Sequence, residues 1–360
     1  MKITTILFTL FLFLFPLNIY AQETEETFKG VVEEVFNVPC SDVLDDGYTC
    51  FEYLIRIDET DESVRTSIPI LSEDGKSKFN IGDRVYTTYM TDGFDYESWA
   101  ITGFVREGAI LIMVVIFALA AIIIGKRQGF GSLLSLAFTV MILYGWAIPR
   151  ILDGGDVLLI GVVTVSITLV MIMYVSHGFN RKSSIAVLST LIGVVIVALL
   201  AKLFISMVRV DGSGSEEAFL LLSQTGGSID LAAVFFISIL IGAVGVLDDV
   251  VMSQVSSIQE LHLANPTLSS RKLFSQAMNI GKDHLSSMVN TLFIAYAGSS
   301  FALVILLTYN SGGIGNILRT DAIAEEIVRT LAASTGILLI VPITSFIASY
   351  LIPRGKLNTK

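Results

Sequence analysis

GVLDDVVMSQVSSIQELH, residues 245–262, begins inside seventeen uncharged residues, Leu231 to Leu247, and carries two adjacent carboxylates just beyond them. A helix rises 1.5 Å per residue, so Asp248 lies about 27 Å beyond Asp230, close to the far edge of a ~30 Å hydrocarbon core. The plain reading is that Asp248 and Asp249 end the hydrophobic stretch in headgroup water. Two features favour more. Val250, Val251 and Met252 continue the apolar run past the acids. Helical spacing also puts Asp249, Ser253, Ser256 and Glu260 on one face. Ionisable groups at such a depth face other helices or water, which makes both aspartates and Glu260 site candidates.

Composition supports a membrane setting. The chain has 360 residues, is 53% hydrophobic and only 16% charged, against about 25% charged in an ordinary soluble domain. Its net charge of −10 is unevenly spread. Residues 22–107 hold 20 acidic and 7 basic side chains, leaving 13 acidic and 16 basic elsewhere. An acidic soluble piece thus adjoins a mildly basic apolar one, and no basic cluster exists to bind nucleic acid.

MKITTILFTLFLFLFPLNIYAQ reads as a signal peptide over residues 1–21, with an uncleaved anchor as the alternative. Either places residues 22–106 outside the cytoplasm. Cys40 and Cys50, the two cysteines, fall there and are expected to form a disulfide. In FEYLIRID, Phe51, Tyr53, Ile55 and Ile57 alternate with polar residues, the period of a half-buried strand. GVVEEVF, SVRTSIPIL, DRVYTTYM and YESWAITGFV are further strands, and NIGD at 80–83 is a turn. The expectation is a small acidic β domain, either barrel or sandwich.

From 107 to 353, apolar runs of spanning length occur at about 109–125, 130–149, 157–176, 184–208, 231–252, 286–309 and 330–352. Seven spans entering from outside end inside, with 354–360 as a cytoplasmic tail. On that topology ten lysines and arginines lie on the inner side and four, Arg150, Arg209, Arg319 and Arg329, on the outer side. Lys202, within a span, is read as extending to the outer interface, with an ion pair as the alternative. The fold class is therefore a membrane all-α bundle of about seven transmembrane helices, preceded by a small extracytoplasmic mostly-β domain.

Residues 253–285 form the long inner loop. After a turn at Asn265-Pro266, Leu273, Phe274, Ala277 and Met278 mark an amphipathic helix at the inner surface. The chain then re-enters through GKDHLSSMVNTLFIAYAG, returning Asp283, Asn290 and Thr291 to the depth of Asp248 and Asp249. Asp249 and Asp283 are expected to converge and bind a proton or cation, with Asn290 and Thr291 supplying neutral oxygens.

GVLDDVVMSQVSSIQELHLANP, IGKDH and NTLFIAYAG resemble the YibE/F family of bacterial multi-pass membrane proteins. The likeness extends to GKRQGFGSLLSL, IPRILDGGD and EEIVRTLAASTGILLIVPIT, covering most of residues 100–352. It implies particular roles for Asp249, Glu260, Asp283, Asn290, Thr291, Tyr296, Ala297 and Gly298, and a lesser one for Asp248. The family has no settled activity and has been regarded as permease-like.

No phosphate-binding loop, HExxH helix or GxSxG elbow is present. An intramembrane aspartyl protease built on Asp249 and Asp283 is a minor reading. The main expectation is a permease, not an enzyme, with no cofactor or metal. Its partners are the bilayer, a small solute or ion, and either a second copy or another membrane protein. The alternative is an exported sensor or assembly factor.

Overall fold

A computed structural model describes residues 27–38, 48–71, 77–92, 96–311 and 318–354. The expected signal peptide, Cys40 and the tail beyond Arg354 lie outside the described residues. Two compact units are present, residues 20–120 and a helical unit that includes 121–360.

The first unit carries five antiparallel strands: β1 (Thr27–Val38), β2 (Tyr48–Ile57), β3 (Ser63–Leu71), β4 (Arg84–Asp92) and β5 (Tyr96–Phe104), in the order β3-β2-β1-β4-β5. All five strands coincide with alternating stretches in the sequence. Phe51, Tyr53, Ile55 and Ile57 are buried, and the intervening Glu52 and Arg56 reach outward into ion pairs with Arg65 and Glu33. Burying each of those apolar side chains contributes about 1.5–3 kcal/mol. Gly30 lets β1 approach β2: a Cβ there would stand 2.6 Å from the Ile55 side chain. The sheet curls until Thr66 Oγ1 on β3 donates to the Trp99 carbonyl on β5. That closure, with the parallel sense of β3 and β5, is the topology of an OB-type barrel and decides between barrel and sandwich. Asn80–Asp83 is a turn with Gly82 at φ 90°, closed by Asp83 N–H to the Asn80 carbonyl. Cys50 is buried on β2.

Nine helical segments follow among the described residues: α1 (Glu107–Ile142), α2 (Ile148–Leu152), α3 (Val157–His177), α4 (Arg181–Val208), α5 (Glu216–Gln224), α6 (Leu231–Ala264), α7 (Ser270–Ser299), α8 (Phe301–Ser311) and α9 (Asp321–Leu351). A π turn, Leu143–Ala147, joins α1 to α2. Among the described residues five stretches are long and apolar enough to cross a membrane, and six if α7 and α8, bent by 59°, count as one.

The longest stretch, Glu107–Leu152, has 46 residues, about 69 Å at 1.5 Å per residue and over twice a bilayer core. It is not one rod. Lys126 leaves helical geometry at φ 47°, ψ −123°. Three residues later, a Cβ on Gly129 would overlap the carbonyl oxygen of Ala121. Residues eight apart in a straight helix are about 12 Å apart, so the chain reverses at Lys126.

In the helical unit α6 is central, packing against α3, α4, α7 and α9. Polar N-caps start the helices: Asp156 accepts from Leu159 N–H, Asn180 from Ser183, Ser215 from Ala218, Asp230 from Ala233 and Ser269 from Lys272. Small residues let helices approach closely. Gly161 faces Ile237, Gly336 faces Val197, and Gly193 faces Ile340 and Leu247.

Two segments depart from the hydropathy reading. α6 continues to Ala264 rather than ending near 252, and the amphipathic stretch 270–285 is collinear with α7 rather than a separate surface helix. Its expected apolar face is real: Leu273 and Ala277 are fully buried. α9 begins at Asp321, nine residues before the apolar run, because Asp321 to Arg329 is itself good helix sequence.

Candidate functional site

On α6, Leu247, Val250, Val251, Gln254, Val255 and Ile258 are buried, which fixes the helix on most of its circumference. The remaining face carries Gly245, Asp249, Ser253 and Glu260, all exposed, with nothing within 4 Å of the position a Gly245 Cβ would take. Asp248, one residue toward the core, is only partly exposed. This face is flanked by the end of α3 and the start of α4. His177 lies within electrostatic reach of Asp249 and Lys182, and Lys182 within reach of Glu260. The stripe thus faces an imidazole from α3 and an ammonium from α4.

The α7 candidates lie at the same depth. The Tyr296 hydroxyl would lie 2.9 Å from a Cβ on Gly242. Gln254 Nε2 donates to the Ala277 carbonyl at 2.8 Å. These contacts set an antiparallel register that brings residues 283–290 level with Asp249. Asp283 and Asn290, seven residues apart and so on one side of α7, are exposed, as is Thr291, whose hydroxyl donates back to the Ser287 carbonyl. Among the described residues no side-chain hydrogen bond or ion pair links Asp248, Asp249, Glu260, Asp283, Asn290 and Thr291 to one another. Asp249 and Asp283 are both exposed, one on α6 and the other on α7.

Two polar clusters went unread in the sequence. In the first, the Gln254 side chain, 4% exposed, joins three helices by donating to Ala277 O and to Ser345 Oγ at 2.7 Å. Gly281 makes room for it, since a Cβ there would stand 3.1 Å from Gln254 Oε1. Nearby α4 and α9 bury Ser183, Ser189 and Thr344, whose hydroxyls have no hydrogen-bond partner among the described residues.

The second lies toward the N-terminal ends of α6 and α9. Arg329 pairs with Glu326 at 3.3 Å and lies over the Phe235 ring, 5.5 Å from its centre. Glu326 also accepts from Ser300 Oγ at 3.1 Å, and Tyr296 is within electrostatic reach of both charges. Glu325, 6% exposed, accepts from Gly214 N–H at 2.9 Å. The sequence reading assigned Arg329 and these acids to a loop. The signal that finds them is the i, i+3 spacing of Glu326 and Arg329 in a helix-forming run after Thr320.

Among the described residues no group of three or more His, Cys, Asp or Glu side chains is placed to hold a metal ion. No curated protein and no solved structure matches the chain. The family model described as YibE/F-like protein matches residues 113–354, which takes in α3 to α9 and both polar clusters. The match covers more than half of the chain, and the protein belongs to the YibE/F-like family.

Proposed function

We propose that this chain is a membrane permease in which the open face of α6 forms part of a polar path. The observation that carries this reading is the stripe Gly245–Asp249–Ser253–Glu260 on a helix otherwise packed into the core. A carboxylate at that depth is expensive in hydrocarbon, so the groove must hold water, an ion or protein. Asp249 is the proposed proton or cation site. Asp248 and Glu260 extend it along α6. Asp283, Asn290 and Thr291 serve at the same depth on α7. The unpartnered hydroxyls of Ser189 and Thr344 are further neutral oxygens for a desolvated ion.

The proposed topology has seven spans: two from Glu107–Leu152 reversing at Lys126, one from bent α7 and α8, and four from α3, α4, α6 and α9. It places the OB-type barrel outside, with Cys40 paired to Cys50, and the C-terminus inside.

The test is flux in liposomes holding the purified full chain, with a pH- or cation-sensitive dye inside. Asp249→Asn should abolish coupled movement, while Asp283→Asn should reduce it. Unchanged flux in Asp249→Asn sinks the coupling role. A second reading, an exported sensor, is favoured by the barrel forming its own compact unit. It predicts no flux from the wild-type chain alone.

A further inference from the structure

A cavity of about 640 Å³ opens at the end of the helical unit where α3 and α6 begin and α4 ends. That size falls in the range of small-molecule sites, roughly 300–1,000 Å³. It is separate from the α6 stripe: Asp249 lies nineteen residues along the helix from Asp230 on the cavity wall. Ile205 and Phe236 give it an apolar surface, and three charged side chains line it: Lys202, Asp156 and Asp230.

The charges are arranged for a ligand rather than for one another. Lys202 lies one and a half turns inside the C-terminal end of α4, and no ion pair or hydrogen bond holds its ammonium among the described residues. Lys202 is exposed on the cavity wall, so its ammonium is open to an anionic group entering from outside. Asp156 and Asp230 each commit one oxygen to a helix amide, Leu159 N at 2.8 Å and Ala233 N at 3.1 Å. The second oxygen of each remains able to accept. A purely anionic ligand would meet two carboxylates, and a purely cationic one would meet Lys202.

We propose that this cavity binds a zwitterion. Its anionic group pairs with Lys202, its ammonium with Asp156 and Asp230, and its apolar part rests on Phe236 and Ile205. The same chemistry is offered by a zwitterionic lipid headgroup and by a free zwitterionic solute.

Native mass spectrometry of the full chain in detergent separates these sources. The probes are phosphatidylethanolamine, phosphatidylglycerol and water-soluble phosphoethanolamine. The wild type should retain phosphatidylethanolamine over phosphatidylglycerol. Binding of phosphoethanolamine without chains identifies a solute site, and its failure beside retained lipid identifies a lipid site. Lys202→Met should weaken binding about tenfold, the scale of one charged hydrogen bond, whereas Lys272→Met on α7 should change nothing. Asp156→Asn with Asp230→Asn should erase the preference for ethanolamine over glycerol. Asparagine caps helices as well as aspartate, so these variants remove charge and leave the helix starts intact. Absence of binding by every probe, wild-type binding in Lys202→Met, or a retained preference in the double asparagine variant overturns the proposal.

Discussion

Gln254 on α6 donates to Ser345 on α9 at 2.7 Å while the same nitrogen reaches the Ala277 carbonyl on α7. One amide therefore ties three helices at the depth where the apolar core gives way to polar side chains. Ser345 in turn donates to the Val341 carbonyl, so its hydroxyl is used twice. Gln254→Ala loses both bonds and leaves a void beside Gly281, which should destabilise the detergent-solubilised protein by about 2–3 kcal/mol. Ser345→Ala removes only one acceptor and should cost about 1 kcal/mol. Equilibrium unfolding of both variants checks the order.

Arg329 and Glu326 should behave as a unit. Arg329→Met strands the Glu326 carboxylate among α6, α7 and α9 and should cost about 2 kcal/mol or more, discounted from a fully buried pair because both side chains retain some exposure. Glu326→Gln combined with Arg329→Met removes the stranded charge and should be more stable than Arg329→Met alone. A double variant no better than the single would mean the arginine acts through its stack on Phe235 instead.

The reversal at Lys126 can be tested by two neighbouring glycines. A Cβ on Gly125 meets nothing within 4 Å, whereas one on Gly129 runs into the Ala121 backbone. Gly125→Ala should accumulate in membranes like the wild type. Gly129→Ala should lose about 1–3 kcal/mol from overpacking, visible as reduced yield and a lower Tm. Equal behaviour would mean the two segments are not held together there.

Asp211 supplies a pH dependence. The Ser213 hydroxyl, at 2.6 Å, and the Ser213 N–H, at 3.1 Å, both donate to Asp211 Oδ1 and hold the carboxyl below its ordinary value of 3.8. A depressed carboxyl contributes stability above its unfolded value and loses it as pH falls through the folded one. The Asp211–Ser213 turn should therefore stay closed from pH 7 down to about 4. Hydrogen exchange at Ser213 should follow only the intrinsic pH trend over that window. Asp211→Asn should exchange faster at every pH.

The strands were legible because their signal is local, whereas their closure into a barrel was not, since it rests on β3 meeting β5. In FEYLIRID each residue's face follows from period-two alternation, and the structure buries the apolar half. Spans were legible as apolar runs, yet hydropathy measures the length of a run and not the continuity of a helix. α6 and α9 therefore extend past their apolar limits, and α7 begins well before its own. The same blindness hid Gln254 and Glu325, buried by neighbours far away in sequence, and Arg329, partly buried against Phe235. Depth was recoverable from rise per residue, so Asp249 and Asp283 were placed level. Facing was not, because it depends on how α6 and α7 rotate against α9, and contacts such as Gly281 against Val341 and Gln254 are made by residues far apart in sequence.

The seam between α4 and α9 has a consequence for how such chains can diverge. A Cβ on Gly336 would overlap the Val197 side chain, while one on Gly193, a turn away on α4, would press on Ile340 at 3.1 Å. Bulk at 336 must therefore be matched by loss of bulk at 197, and bulk at 193 by loss at 340. Each pair is free to drift together but not singly, so the two positions of a pair should change in step along a lineage. Gly336→Ala followed by Val197→Ala is the shortest such route, and the reverse order avoids the clash altogether by opening the space before it is filled.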